Sequence, residues 1–172
     1  MPLVDVLLPA LLVAQAALGA LDTVVNHELI AHLADEPVAR LELRLHAVRE
    51  AVYAVMFAGL GWFDWHGAAA AAMVAFLAVE TAVTVADELV ENRTRVLPQN
   101  ERVLHIFLTL NFGVIVAVLI PVLLQWRGYP TGLVLHDHGA PSWLLGVFAA
   151  ASAGWAVRDL IAWHRLGTLA RA

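Results

Sequence analysis

The sequence predicts an all-α integral membrane bundle of about five transmembrane helices, four of them forming a polar-cored bundle within one domain. Three observations carry this reading. The 172 residues are 61% hydrophobic with a mean hydropathy of +0.76, well above the roughly 45–50% apolar content of soluble domains. Five segments supply the ~20 mainly apolar residues that a spanning helix needs. Acidic residues and histidines recur at helical spacings near one end of the first four.

The segments cover residues 3–25, 46–63, 67–87, 104–126 and 143–163. Their helices are expected over about 3–33, 38–63, 66–95, 98–126 and 141–166. The first resembles a signal peptide in hydropathy, but it has no positive n-region, carries Asp5 early and lacks a cleavage site, so it reads as a membrane helix. Pro37 and Pro98 suit helix starts, Gly59-Leu60-Gly61 and Gly128-Tyr129-Pro130 suit turns, and Pro121 predicts a kink in the fourth helix. The fifth segment has no acid until Asp159. It either seals the bundle or makes a homodimer contact through the small residues Ala149 to Gly154.

Arginine placement orients the chain. Arg40, Arg44 and Arg49 follow the first helix, Arg93, Arg95 and Arg102 follow the third, and Arg158, Arg165 and Arg171 flank the C-terminus; only Arg127 falls at the other end. The positive-inside rule then puts the N-terminus outside and the C-terminus in the cytoplasm, in a bacterial inner membrane, with Trp62, Trp65, Trp126 and Trp143 as an outer aromatic belt. A net charge of −5, with every cationic residue an isolated or paired Arg, excludes a nucleic-acid surface. Cysteine is absent, so any metal must use nitrogen and oxygen ligands. His136-Asp137-His138 in the outer loop reads as a short polar loop rather than a metal site.

Ionisable residues inside membrane helices are costly and mark function. On the third helix Glu80, Thr84, Asp87, Glu88 and Glu91 fall along one face; on the second, Glu42, His46, Arg49, Glu50 and Tyr53 do the same. The fourth contributes Glu101 and His105 one turn apart. The first contributes Asp22, Asn26, His27, Glu28 and His32, of which Asp22 and Asn26 agree in direction while His27 and Glu28 point away. Glu91 reads as a solvated helix end. Seven or eight carboxylates then face Arg49, with Arg102 as the other available fixed cation, and this excess calls for bound metal.

The order of these stripes resembles the di-iron carboxylate proteins of ferritin-like and alternative-oxidase type, in which helices contribute in turn a carboxylate, a Glu-x-x-His pair, a carboxylate and a second such pair. Here Asp22 or Glu28, Glu42-Leu-Arg-Leu-His46, Glu80 with Asp87-Glu88, and Glu101-Arg-Val-Leu-His105 follow that order, with one more residue inside each pair. His46 with Glu50 is an equal competitor on the second helix.

The expected metal ligands are Asp22, His27, Glu28, His46, Glu50, Glu80, Asp87, Glu101 and His105, with Glu42, Glu88 and His32 undecided. Arg49 and Tyr53 are expected to border the cofactor, and Glu50 or Glu80 to act as a general base. The expected cofactor is two divalent ions, iron first and zinc or manganese next. The expected function is oxidation of a lipid-soluble substrate reached from the cytoplasmic leaflet. Alternatives are a zinc- or manganese-dependent hydrolase of a lipid ester, amide or phosphate, and a non-enzymatic transporter or partner subunit that passes protons or metal ions. Against transport, the outer halves of the second to fourth helices are almost wholly apolar.

Overall fold

A computed structural model describes residues 2–169, with side chains over 4–169; Arg171, counted above at the arginine-rich end, lies outside the described residues. The chain is an all-α bundle of five helices. α1 spans Pro2–Asp22 and continues without a break into a π-helical segment, Thr23–Ile30. Two short 3-10 turns lead into α2 (Arg40–Trp62), followed by α3 (Ala68–Thr94), α4 (Gln99–Trp126) and α5 (Ala140–Leu169). The alanine run Ala68–Ala72 opens α3 with the strongest helix former. Pro98 stands as the residue before α4, where a missing N–H costs nothing. Pro121 falls inside α4, which runs unbroken across it.

Among the described residues, four helices are long and apolar enough to cross a membrane: α1 with its extension, α3, α4 and α5. α2, expected as a fifth, falls short because Arg40, Glu42, Arg44, Arg49 and Glu50 dilute its inner half. Its place in the bundle accounts for this. α2 packs along α5 and α3, while α1 packs on α4 and α5. On the periphery Phe107, Leu110, Leu124, Val147 and Ile161 are each more than half exposed, at 56–67%, as lipid-facing side chains would be.

The core divides by polarity along the bundle. In the tryptophan-rich half Leu12, Met56, Met73, Ile115, Leu119 and Leu145 are fully enclosed. In the arginine-rich half the enclosed side chains are instead Asp22, His27, Glu42, His46, Asp87, Glu91 and Glu101. A small second cluster, Leu33, Ala39, Leu43, Ala162 and Leu166, fastens the turn after α1 to α5.

The tryptophan-rich end holds a feature that helical periodicity does not announce. Strand β1 (Phe63–His66) pairs antiparallel with β2 (Gly132–Leu135), from Phe63 opposite Leu135 to His66 opposite Gly132. This ribbon closes the end of the bundle. Gly67, at φ 58°, makes the turn into α3, and a Cβ there would collide with Thr131. Trp65 points inward rather than joining an outer belt: it is buried, and its ring lies where a Cβ on Gly59 would sit, 2.5 Å from Cζ2. His136 and His138, in the loop after β2, lie with ring centroids 4.2 Å apart and planes tilted by 32°, and His136 Nδ1 lies 3.0 Å from Asp64 Oδ1.

Candidate metal centre

Each of the first four helices delivers a pair of ligand-type side chains to one point. Glu42 and His46 on α2, Asp87 and Glu91 on α3, and Glu101 and His105 on α4 are each four residues apart and so share a helix face. α1 offers Asp22 and His27, five apart. On an unbroken α-helix these would diverge by roughly 140°. The π-helical segment removes the divergence, because its backbone bonds close over five residues, as in Ala31 N–H to Asn26 O at 2.9 Å. Asp22 and His27 therefore both turn inward, 3.6 Å apart between His27 Nε2 and Asp22 Oδ2. Asn26 is buried beside them, donating to Asp22 Oδ1 at 2.7 Å and accepting from Asn100 at 2.6 Å.

The eight side chains interlock. His27 and His46 stack with ring centroids 4.5 Å apart and planes 11° from parallel. His27 Nε2 lies 3.6 Å from Glu101 Oε1, His105 Nε2 is 3.2 Å from Asp22 Oδ2, and His105 Nδ1 is 3.6 Å from Glu91 Oε2. His46 Nε2 is 3.0 Å from Asp87 Oδ2, which also receives Arg49 at 2.7 Å. Two groups of four can each hold a metal ion, with one ligand atom per residue and all four atoms within 4.8 Å of one another. They are Asp22, His27, Glu101 and His105, and His27, Glu42, His46 and Glu91. A third group, Glu88, Glu91 and His105, touches both. His27 is common to the first two, and Glu91 joins the second to the third.

Polar atoms inside the cluster remain unpaired. His27 Nε2, Asp87 Oδ1 and Glu91 Oε2 are buried with no hydrogen-bond partner, a costly state for carboxylate and imidazole atoms. Metal held by the groups above would satisfy His27 and Glu91; Asp87 belongs to none of them. The donor set, three imidazoles and four carboxylates in the two groups, suits iron, manganese or zinc.

The cations differ from expectation. Arg49 pairs with Asp87, but the second guanidinium belongs to Arg95, in the turn between α3 and α4; Arg102 is exposed. Arg95 reaches Glu42 at 2.8 Å, Glu101 at 2.6 Å and Glu91 at 3.3 Å. Burial opposes its charge, and the hydrogen bonds to Glu101 and Glu42 more than reverse this, holding it firmly protonated. Five enclosed carboxylates (Asp22, Glu42, Asp87, Glu91 and Glu101) thus face two guanidiniums, a deficit of three charges before any histidine is protonated.

Of the residues singled out in the sequence, Asp22, His27, His46, Glu101 and His105 come together, with Glu42 among them and Asp87 bound to His46. Glu28 does not: it faces α5 and pairs with Arg158 at 2.6 Å. His32 is exposed, in a left-handed turn at φ 49°. Glu88 is exposed and touches only the third group. Glu91, read as a solvated end, is 1% exposed and central. Glu50, Glu80 and Tyr53 lie deeper, lining a cavity of about 430 Å³ whose floor is Asp22, Asp87, Glu91 and His105. No protein-family model, curated protein or solved structure matches the chain.

Proposed function

We propose that the protein is a membrane-embedded metalloenzyme whose centre holds two divalent ions, iron being the intended pair, and which oxidises a lipid-soluble substrate. The observation that carries this is the pair of four-residue groups joined through His27, set in a cluster whose five enclosed carboxylates outnumber its two guanidiniums and in which His27 and Glu91 each leave a buried polar atom unpaired. The residues that would hold the metals are Asp22, His27, Glu101 and His105 on one side, and Glu42, His46 and Glu91 on the other. Iron in a carboxylate-imidazole site supplies activation of dioxygen. The protein's own part is to keep the site dry, to orient Asp87 through Arg49, and to present a cavity walled by Phe57, Phe112 and Phe148. Glu50 and Glu80 line that cavity, where either carboxylate can take a proton from bound substrate.

Among the described residues, eight of nine arginines lie at the cluster's end, which supports a cytoplasmic centre in a bacterial inner membrane. Transport fits less well, because the core beyond the cavity is the apolar half built around Met56, Met73 and Leu119. Anaerobic purification followed by metal analysis and optical spectroscopy tests the proposal. About two metals per chain, with iron bands that change on exposure to oxygen, are expected. Fewer than one metal per chain defeats it, and two redox-silent zinc ions with lipid hydrolysis would replace oxidation by water activation at the same residues.

A further inference from the structure

The cavity carries a second polar tier, distinct from the clustered ligands. Asn111 of α4 donates to Gln15 Oε1 at 2.8 Å and to Leu11 O at 3.0 Å, and Gln15 Nε2 in turn donates to the Tyr53 hydroxyl at 2.9 Å. This chain crosses α4, α1 and α2. On α3 the Thr84 hydroxyl donates to Glu80 Oε1 at 3.0 Å, and Glu80 lines the same cavity as Tyr53. The second oxygen of Glu80, Oε2, is buried with no hydrogen-bond partner on a residue only 2% exposed.

The surroundings of that oxygen are graded. Toward the tryptophan-rich end the cavity wall is aromatic: Phe57 lies one turn beyond Tyr53, Phe148 one turn beyond Ser152, and Phe112 closes the α4 side. Toward the arginine-rich end lie Asp87, about 10 Å further along α3 at 1.5 Å per residue, and then Glu91. A volume near 430 Å³ is within the range of sites for small organic ligands, about 300–1,000 Å³. A buried carboxylate oxygen on an otherwise satisfied network calls for a donor from the ligand, and the aromatic wall calls for a hydrocarbon body.

We infer that this tier binds a lipid-soluble alcohol or phenol, its hydroxyl donating to Glu80 Oε2 and its apolar body lying among Phe57, Phe112 and Phe148. This deepens the proposal of a lipid-soluble substrate by naming its class and rests on it for catalytic meaning. Binding itself needs no metal. A hydrogen bond to the Glu80 carboxyl is expected to raise affinity for the hydroxyl-bearing ligand about tenfold.

The test uses the full chain in detergent and two photoreactive probes: a diazirine-bearing alkyl alcohol and the same chain without its hydroxyl. Labelling is mapped by mass spectrometry in chelator-treated and zinc-loaded protein. The alcohol is expected to label the segments around Phe112 and Phe148, half-saturating at a concentration at least tenfold below that of the hydroxyl-free probe. Glu80→Leu is expected to abolish this difference, and Glu80→Gln, whose amide oxygen still accepts, to keep part of it. Labelling of Glu80→Leu by the hydroxyl-free probe at wild-type level shows that its cavity is intact. Should Glu80→Leu not fold, Glu80→Gln and the wild type decide the matter. Equal half-saturation of the two probes in wild-type protein, or an undiminished difference in Glu80→Leu, overturns the inference. A hydroxyl preference in chelator-treated protein that never binds metal would leave this inference standing and defeat the metal reading alone.

Discussion

Arg95→Gln separates the two cations that can neutralise the carboxylate cluster, the guanidinium and a metal. Arg95 contacts Glu42 and Glu101, both fully enclosed, and Glu91, which is 1% exposed. Removing one partner from a buried ion pair costs about 3–5 kcal/mol. Because the Arg95 side chain is itself 15% exposed, the lower figure, about 3 kcal/mol, is expected for metal-free protein. The same substitution frees three carboxylates for metal, two of which, Glu42 and Glu91, fall in one four-residue group. Divalent metal should therefore bind at least tenfold more tightly to the variant. The stability gap between wild type and variant then narrows by about 1.4 kcal/mol at saturating metal. Reversible unfolding in mixed micelles, followed by circular dichroism with chelator and then with excess zinc, measures both quantities. A gap under about 1 kcal/mol in chelator, or one that zinc leaves unchanged, would refute the idea that Arg95 and metal serve the same charge.

Other outcomes follow from particular residues. His27→Ala, which removes the ligand common to two groups, is expected to lower bound metal by at least one ion per chain. Glu28→Gln, which breaks only a pair with Arg158 whose side chains are about one-third exposed, should leave metal content unchanged and cost less than about 1 kcal/mol; metal analysis and unfolding read the contrast. Gly59→Ala places a Cβ 2.5 Å from Trp65 and should destabilise by about 1–3 kcal/mol, whereas Gly113→Ala, in open space, should gain up to about 1 kcal/mol. At the ribbon end, burial and the adjacent His136 lower the pKa of His138 below 6.5, so the folded state binds fewer protons than the unfolded one. Its contribution is present above pH 6.5 and lost as pH falls below it; His138→Gln should flatten that limb of the stability-pH curve. Deleting Val25 should leave two metals bound, since it converts the spacing of Asp22 and His27 to that of the pairs on α2 and α4.

Composition and spacing made the architecture legible, and the exceptions have physical causes. α2 escapes the hydropathy rule because Glu42 is buried and Arg49 pairs with buried Asp87, while Arg44 is exposed at the arginine-rich end. The ribbon of Phe63–His66 with Gly132–Leu135 is too short for any period to appear. Glu91 and Arg95 were the costly misses. Glu91 lies at a helix end, where a carboxylate is ordinarily solvated, yet it stands four residues after Asp87 on the same face. Arg95 stands four residues after Glu91, beyond the last turn of α3. Glu91 already stood on the stripe and was set aside for its place at the helix end; following the stripe one turn further would have found Arg95. The partnership of Arg158 with Glu28 spans 130 residues, and no local spacing encodes it.

The first helix was misread for a different reason, and the error is informative. A reading at 3.6 residues per turn sets Asp22 against His27, because it assumes one backbone geometry throughout. The π-helical segment Thr23–Ile30 makes five residues do what four do elsewhere. With that register restored, α1, α2 and α4 each present a carboxylate followed one turn later by a histidine, and α3 presents Asp87 followed one turn later by Glu91. A wide turn leaves α-helical hydrogen bonding only where neighbouring packing compensates for it. Here it falls between the two members of the pair and turns His27 onto His46 at 4.5 Å. An inert bundle would have no use for that alignment; a site that needs one carboxylate and one imidazole from the same helix face does. Loss of the His27–His46 stack on deletion of Val25 would show instead that the wide turn itself, and not the spacing it restores, positions the imidazole.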